Sequence, residues 1–207
     1  MSESRPPRTE WDERYDRDDY VYGTEPNEFL RAFADRLPPP PARVLSLAEG
    51  EGRNGVFLAG LGYRVTGVDA SSVGLAKARR LAQARGVEIE TIHARLEAYE
   101  FERGAWDAVI SIFCHLPPDL RRKVHRAVVE ALRPGGVVLL EAYTPDQLRH
   151  GTGGPKAPEL LYTADMLRED FEGLEFLHLR ELERDVTEGL LHRGRAAVVQ
   201  MVARKPQ

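Results

Sequence analysis

Residues 43–69 read RVLSLAEGEGRNGVFLAGLGYRVTGVD, and this stretch decides the fold. A short apolar run, Val44 to Ala48, enters a turn rich in glycine and acid, Glu49-Gly50-Glu51-Gly52-Arg53-Asn54-Gly55. An apolar helix-like segment follows, and a second apolar run closes on Asp69. Strand, glycine turn, helix and strand make half of a βαβ nucleotide unit. Glycines in such a turn let the backbone approach a ligand where a Cβ would collide. The acid at the end of the second strand is placed to accept both hydroxyls of a ribose. The motif therefore predicts an adenosine-bearing cofactor.

Outward from this unit, strands and helices continue to alternate. Ser71 reads as the N-cap of a helix reaching Arg85, with Leu75, Ala78, Leu81 and Ala82 on one face and Gly86 ending it. A third strand is predicted over 88–93, and a fourth, Trp106 to Ile112, is apolar enough to be covered on both faces. Pro117 and Pro118 open the next helix, Pro134-Gly135-Gly136 stops it, and Val137 to Tyr143 is the fifth strand. The glycine- and proline-rich segment 144–158 suggests a lid or binding loop. A helix over 163–170 precedes two strand-like runs, 174–186 and 190–203, whose short connection at Glu188-Gly189 requires antiparallel pairing. Before the core, residues 11–37 predict one or two short helices, and Pro38 to Pro41 form a stiff spacer. The expected organisation is a disordered tail over 1–10 and one domain over 11–207, with a cap at 11–37 and an α/β core at 43–204.

Composition narrows the class. The chain has 207 residues, with 29 basic and 33 acidic side chains interspersed, so no basic groove for nucleic acid is expected. No apolar run approaches a membrane span, and the N-terminus lacks the apolar core of a signal peptide. A single cysteine, Cys114, excludes an internal disulfide, and the six histidines lack metal spacing, so no metal is expected. These features predict a soluble, cytoplasmic, one-domain protein with no nucleic-acid or membrane partner; they leave monomer or homodimer open.

Three details separate a methyl-donor site from a dinucleotide site. Gly50 and Gly52 do not read G-x-G-x-x-G. The fourth strand ends in Ser111-Ile112-Phe113-Cys114-His115-Leu116-Pro117, polar and aromatic residues at the edge where ligands bind. Leu132-Arg133-Pro134-Gly135-Gly136 precedes strand five, and a hairpin closes the chain. On these residues the chain resembles the class I S-adenosylmethionine-dependent methyltransferases from about 11 to 204. Trp11-Asp12-Glu13-Arg14-Tyr15 and Tyr22-Gly23-Thr24-Glu25-Pro26-Asn27 are similar to the small tellurite-resistance-type and thiopurine-type branch.

The resemblance implies a Rossmann-like seven-stranded sheet, mostly parallel, with a C-terminal antiparallel hairpin, helices on both faces and an N-terminal helical cap. It implies methyl transfer from S-adenosylmethionine to a small acceptor, soft nucleophiles such as a thiol or a selenium or tellurium oxyanion among them. It also implies roles for particular residues. Glu49, Gly50 and Gly52 would approach the methionine part of the cofactor, and Arg53 and Asn54 would hold its amino-acid end. Asp69 would bind the ribose, with Ala70 and Leu96 at the adenine. Ile112 and Phe113 would flank the adenosine, and Tyr15 and Tyr22 would close over it. Two positions depart from the family: its first-strand acid is Ser46 here, and Ala48 replaces the first loop glycine. Glu49 is then expected to take part of the acidic role, and Arg95 stands where the family often has an acid at the adenine.

Other residues carry more local expectations. His115 is the candidate general base, because its ordinary pKa lies near neutrality. Glu141, Tyr143 and Arg184 are candidate acceptor-pocket residues; Arg184, His192 and Arg195 read most simply as polar faces of the hairpin, with anion binding as the alternative; and Cys114 reads as a small buried hydrophobe. Arg121-Arg122-Lys123 reads as a solvated helix face. Two other readings remain open, an NAD-linked oxidoreductase and a non-catalytic S-adenosylmethionine-binding protein.

Overall fold

The computed structural model describes residues 8–189 and 193–207. Seven strands form one sheet in the order β3-β2-β1-β4-β5-β7-β6. They are β1 (Arg43–Leu47), β2 (Arg64–Asp69), β3 (Glu90–His93), β4 (Trp106–Ile112), β5 (Leu132–Tyr143), β6 (Glu175–Thr187) and β7 (Arg193–Arg204). The first five run parallel, and β7 slots antiparallel between β5 and β6. The expected sheet and its terminal hairpin are therefore both present.

Strand alternation explains the continuous apolar runs. Successive side chains point to opposite faces, and both faces here are covered. Leu45 and Val109 join Val124, Val128 and Phe171 in one core cluster. Val44, Ala108 and Ile110 join Leu30 and Leu58 in another. The covering helices are α3 (Arg53–Gly60), α4 (Ser72–Ala84), α5 (Pro118–Ala131) and α6 (Ala164–Asp170). Two further helices, α1 (Glu10–Tyr15) and α2 (Glu28–Phe33), make the N-terminal cap. The chain builds outward from β1 to β3, then returns to β4 on the other side. That reversal opens a crevice beyond the carboxyl ends of β1 and β4.

Two element starts and one surface assignment differ from expectation, and β3, β6 and β7 shift by only one to three residues. Helix α1 starts inside the segment expected to be a tail, because Thr9 and Asp12 form a reciprocal capping box. Strand β5 begins directly at Leu132, which pairs with Trp106 before a register shift. Arg121 is not solvated: it is 5% exposed, and its Nε donates to Asp170 of α6 at 2.7 Å. His125, one turn along α5, meets the same carboxylate oxygen at 2.7 Å, so this cluster ties α5 to α6. Arg122 and Lys123 are exposed as expected.

The cap is fastened by buried polar groups. Asp12 accepts from the Ser71 hydroxyl at 2.8 Å and the Val73 amide at 3.2 Å, at the N-terminus of α4. The ammonium of Lys77, 1% exposed, lies 2.5 Å from Glu51 in the glycine turn. It also donates to the carbonyls of Arg17 and Asp19 at 3.0 and 2.6 Å. One α4 side chain thus holds both the cap and the turn. Replacing Lys77 by methionine strands the Glu51 charge and is expected to cost about 3–5 kcal/mol in denaturant unfolding. Adding Glu51→Gln to that variant is expected to restore part of the loss.

Candidate functional site

After β1 the backbone enters left-handed conformations at Ala48 (φ 50°), Gly50 (59°) and Gly52 (97°). Ala48 adopts this geometry without being glycine, at a cost of about 1–2 kcal/mol. Gly50 is required for space as well as for φ. A Cβ there would lie 2.7 Å from the Tyr15 hydroxyl, so the cap ring rests directly on the turn. Gly52 answers to a different neighbour. Its Cβ would meet Ala78 of α4 at 2.6 Å, and Gly52 is absent from the cavity wall. Its missing side chain serves helix packing rather than ligand approach.

The turn, the ends of β2 and β4 and the cap enclose a cavity of about 900 Å³, within the range of small-ligand sites. Glu49, Gly50, Arg53 and Asn54 line it from the turn and the start of α3. Asp69, Ala70 and Leu96 line it beyond β2 and β3, and Ile112 and Phe113 beyond β4. Tyr15 and Tyr22 close it from the cap, beside Trp11 and Arg14. Except for Gly52, the residues expected at a cofactor are therefore brought together.

Three buried carboxylates stand at this wall, with different partners. Asp69 is held in place by the Gly50 amide at 2.8 Å and the Ser71 amide at 2.7 Å. Burial raises its pKa, and those two amides oppose the rise. Glu51 is neutralised by Lys77 and accepts from the Tyr22 amide at 3.2 Å.

Among the described residues, Glu49 has no cationic partner within ion-pair distance. Its side chain folds back between two glycines: a Cβ on Gly55 would lie 2.6 Å from its Oε1, and one on Gly67 would lie 2.7 Å from its Cγ. Oε1 accepts from the Gly55 amide at 2.8 Å, which serves α3 in place of the side-chain cap that Gly52 lacks. Oε2 has no hydrogen-bond partner of normal geometry. Burial lifts the Glu49 pKa to about 7; Ser46, the Gly55 amide and Arg53 oppose the rise, and Asp69 adds to it.

An aromatic wall forms the far end. Phe113, with φ 53°, turns the chain sharply at the end of β4. Its ring stacks on Tyr143 at 4.6 Å, and His115 stacks on Tyr143 at 5.6 Å. Gly154 lies against the Tyr143 ring, where a Cβ would sit 2.7 Å from Cδ2.

His115 does not meet the expectation of a free base. Its Nδ1 lies 2.7 Å from the Leu160 carbonyl, and the Tyr143 amide points at its Nε2 at 3.4 Å. Burial lowers its pKa to about 4, the Leu160 carbonyl opposing. Both ring nitrogens face backbone, so the imidazole is a neutral wall element. Cys114 is buried, and its thiol is pushed up to about 12 by burial, as befits a small hydrophobe.

Glu141 and Arg184 do not reach the cavity. They belong to a buried ionic cluster behind it, in which Arg184 binds Glu141 at 2.5 Å and Glu188 at 2.8 Å. Arg195 pairs with Glu183 on the exposed hairpin, and His192 lies outside the described residues. Arg95 lines the cavity and pairs with Glu97 at 3.1 Å. Segment 144–158 contributes Gly154, Pro155 and Lys156 to the wall. It is pinned by buried Gln147, which accepts from the Ala197 amide at 2.9 Å and donates to Gly153 at 3.1 Å. The sequence reading missed Asn27, Lys77, Gln147 and Glu188. Only the paired glycines at 153–154 hinted at the loop's close approach to Tyr143.

A parallel sheet with a glycine turn at its reversal, an oriented acid after β2 and a closing antiparallel hairpin define the class I methyltransferase architecture. Residues 44–136 match the family described as a methyltransferase domain. Residues 44–136 are thus similar to a methyltransferase domain, and the sheet shares its fold with SAM-dependent methyltransferases of known structure, among them one from Methanosarcina mazei at 18% identity and a TM-score of 0.64, over 84% of this chain and 97% of that one. A demethylmenaquinone methyltransferase of Thermus thermophilus is 34% identical over 117 residues, covering 56% of this chain and 53% of that enzyme. The match therefore spans about half the length of that curated relative. Among solved structures, TehB of Haemophilus influenzae aligns with a TM-score of 0.68 at 22% identity, over 86% of this chain and 61% of that one. The [4+2]-cyclase SpnF aligns with a TM-score of 0.69 at 17% identity, over 91% and 87%. At such identities these two show the fold alone. Among the described residues no helix is long and apolar enough to cross a membrane, and no group of side chains is arranged to hold a metal.

The Glu49 carboxyl generates a pH prediction. Its folded pKa of about 7 exceeds its ordinary 4.5, so folding takes up a proton between those values. Its contribution is full below pH 4.5 and is lost as pH rises through 7, a change of about 3 kcal/mol. Thermal unfolding of the cofactor-free protein from pH 4.5 to 8 is expected to show this decline. Glu49→Gln is expected to flatten it.

Proposed function

We propose that this protein transfers the methyl group of S-adenosylmethionine to a small-molecule acceptor that presents a soft or already deprotonated nucleophile. The observation that carries this reading is the aromatic end of the cavity. It offers Phe113, His115 and Tyr143 as walls, with both His115 nitrogens taken by backbone groups. An acceptor needing its proton removed would find no placed base there. A thiolate, or a selenium or tellurium oxyanion, needs none.

The cofactor fits the residues present. Asp69, oriented by two backbone amides, would take the ribose hydroxyls. The Glu49 carboxyl gives the cofactor's ammonium an acceptor, and Arg53 offers its carboxylate a cation. Gly50 lets the backbone come close. When bound, the cofactor supplies an electrophilic methyl on a sulfonium. The chain's own work is to hold the acceptor in line, exclude water with the cap aromatics and keep the surroundings apolar.

The relative named for demethylmenaquinone adds a flat apolar acceptor to those worth testing. An NAD-linked reaction has no support in the sheet, where the antiparallel β7 stands beside β5 in place of a further parallel strand.

Incubation with methyl-labelled S-adenosylmethionine and, in turn, a thiol, selenite, tellurite and demethylmenaquinone chemically reduced to its quinol tests the proposal. Label on the thiol or either oxyanion is expected. Label on the quinol alone overturns the soft-nucleophile reading, and binding without labelling of any acceptor points to a non-catalytic protein. Asp69→Ala removes charge-assisted hydrogen bonds worth about 1.5–3 kcal/mol each. It is expected to weaken S-adenosylhomocysteine binding at least tenfold by calorimetry; unchanged affinity would remove Asp69 from the site.

A further inference from the structure

The tip of the β6–β7 hairpin touches two walls of the cavity without lining it. Glu188, 5% exposed, accepts from Arg53 at 2.6 Å. The same carboxylate takes Arg184 at 2.8 Å and the Asn27 side-chain amide at 3.1 Å. Burial works against the ionised form of Glu188, but the two arginines hold its pKa down to about 2. The neighbouring Gly189, with φ +79°, presses on the cap backbone. A Cβ there would sit 2.3 Å from the Tyr22 carbonyl carbon and 2.5 Å from the Gly23 amide nitrogen. One residue of the tip thus grips an arginine of the cavity wall, and the next seats the segment that carries Tyr22.

Arg53 is also the only buried cation among the described residues of the wall. It is 7% exposed, whereas Arg8, Arg14, Arg95 and Lys156 are all exposed. A long guanidinium side chain has many rotamers, and fixing it before a ligand arrives removes an ordering cost from binding. Glu188 does this from 135 residues away.

We propose that the hairpin tip is a positioning clasp for the cofactor: Glu188 sets the Arg53 guanidinium for the amino-acid end, and Gly189 seats the cap over the nucleoside. This rests on the reading of the cavity as the S-adenosylmethionine site with Arg53 at the carboxylate. Glu188 acts through Arg53 and contacts no reacting atom.

Two probes separate the clasp from a general loss of structure. S-Adenosylhomocysteine carries the amino-acid end, and 5′-methylthioadenosine keeps the nucleoside but lacks that end. Binding of each by calorimetry is compared in the full-length protein, Glu188→Gln and Gly189→Ala, with circular dichroism to confirm folding. Glu188→Gln is expected to weaken S-adenosylhomocysteine at least tenfold and to leave 5′-methylthioadenosine within about twofold. Gly189→Ala is expected to weaken both at least fivefold, because the cap must move off the nucleoside.

Equal weakening of both probes in Glu188→Gln, or no change in either variant, overturns the clasp. If Glu188→Gln does not fold, Glu188→Asp keeps the charge, withdraws it by one methylene and is read for the same split. Failure of the unaltered protein to bind either probe overturns the cofactor reading itself, and the clasp with it.

Discussion

Charge buried at a distance organises this molecule. Glu51 and Glu188 are each nearly inaccessible, and each is matched by a cation from another part of the chain. Lys77 crosses from α4 to Glu51 and to the carbonyls of the cap. Arg53 and Arg184 converge on Glu188, while Arg184 also holds Glu141, which is wholly buried. An isolated buried carboxylate is strongly unfavourable, and a pair with well-directed hydrogen bonds offsets most of that cost. Such pairs add little net stability against apolar replacements of the same size. They admit few alternative arrangements, and here that selectivity fixes the cap and the hairpin against the glycine turn.

The sheet was largely legible because its evidence is local. Val44 to Ala48 and Trp106 to Ile112 are strands of an enclosed parallel sheet whatever surrounds them, and Pro117, Gly86 and Ser71 mark helix ends through backbone geometry. The cavity wall followed from the same signals, since the carboxyl ends of β1, β2 and β4 lie together once the sheet reverses. Electrostatic partners were not legible. Lys77 and Arg121 look like surface residues in sequence, and their burial depends on Glu51 and Asp170, which arrive from elsewhere. Glu141 and Arg184 read as pocket residues because of their strand positions. Asn27, Gln200 and Glu188 draw both into the interior behind the cavity. Nor does the pattern of strands say that β7 lies inside β6.

Fold and chemistry separate in this architecture. The sheet here aligns with TehB and with a [4+2]-cyclase at nearly equal TM-scores, 0.68 and 0.69, so the scaffold does not choose the reaction. The features that narrow the chemistry lie at loop ends. Ser46 and Ala48 stand where the resembling family places an acid and a glycine, and Glu49 reaches back through the space left by Gly55 and Gly67. A carboxylate is thereby present near the first strand from a different position in the chain. At the other end, His115 spends its nitrogens on Leu160 and Tyr143, which leaves a smooth ring rather than a reagent.

The cavity is walled by Tyr15 and Tyr22 near the beginning of the chain, and Arg53 in that wall is gripped by Glu188 near its end. During synthesis the glycine turn and Asp69 emerge long before the hairpin does. The turn and β2 are made early, yet the Arg53 guanidinium lacks its Glu188 counter-charge until β6 is complete and the tip has docked. The arrangement of Arg53 in the wall then depends on the docked hairpin: a copy truncated before β6 has the motif and lacks the grip.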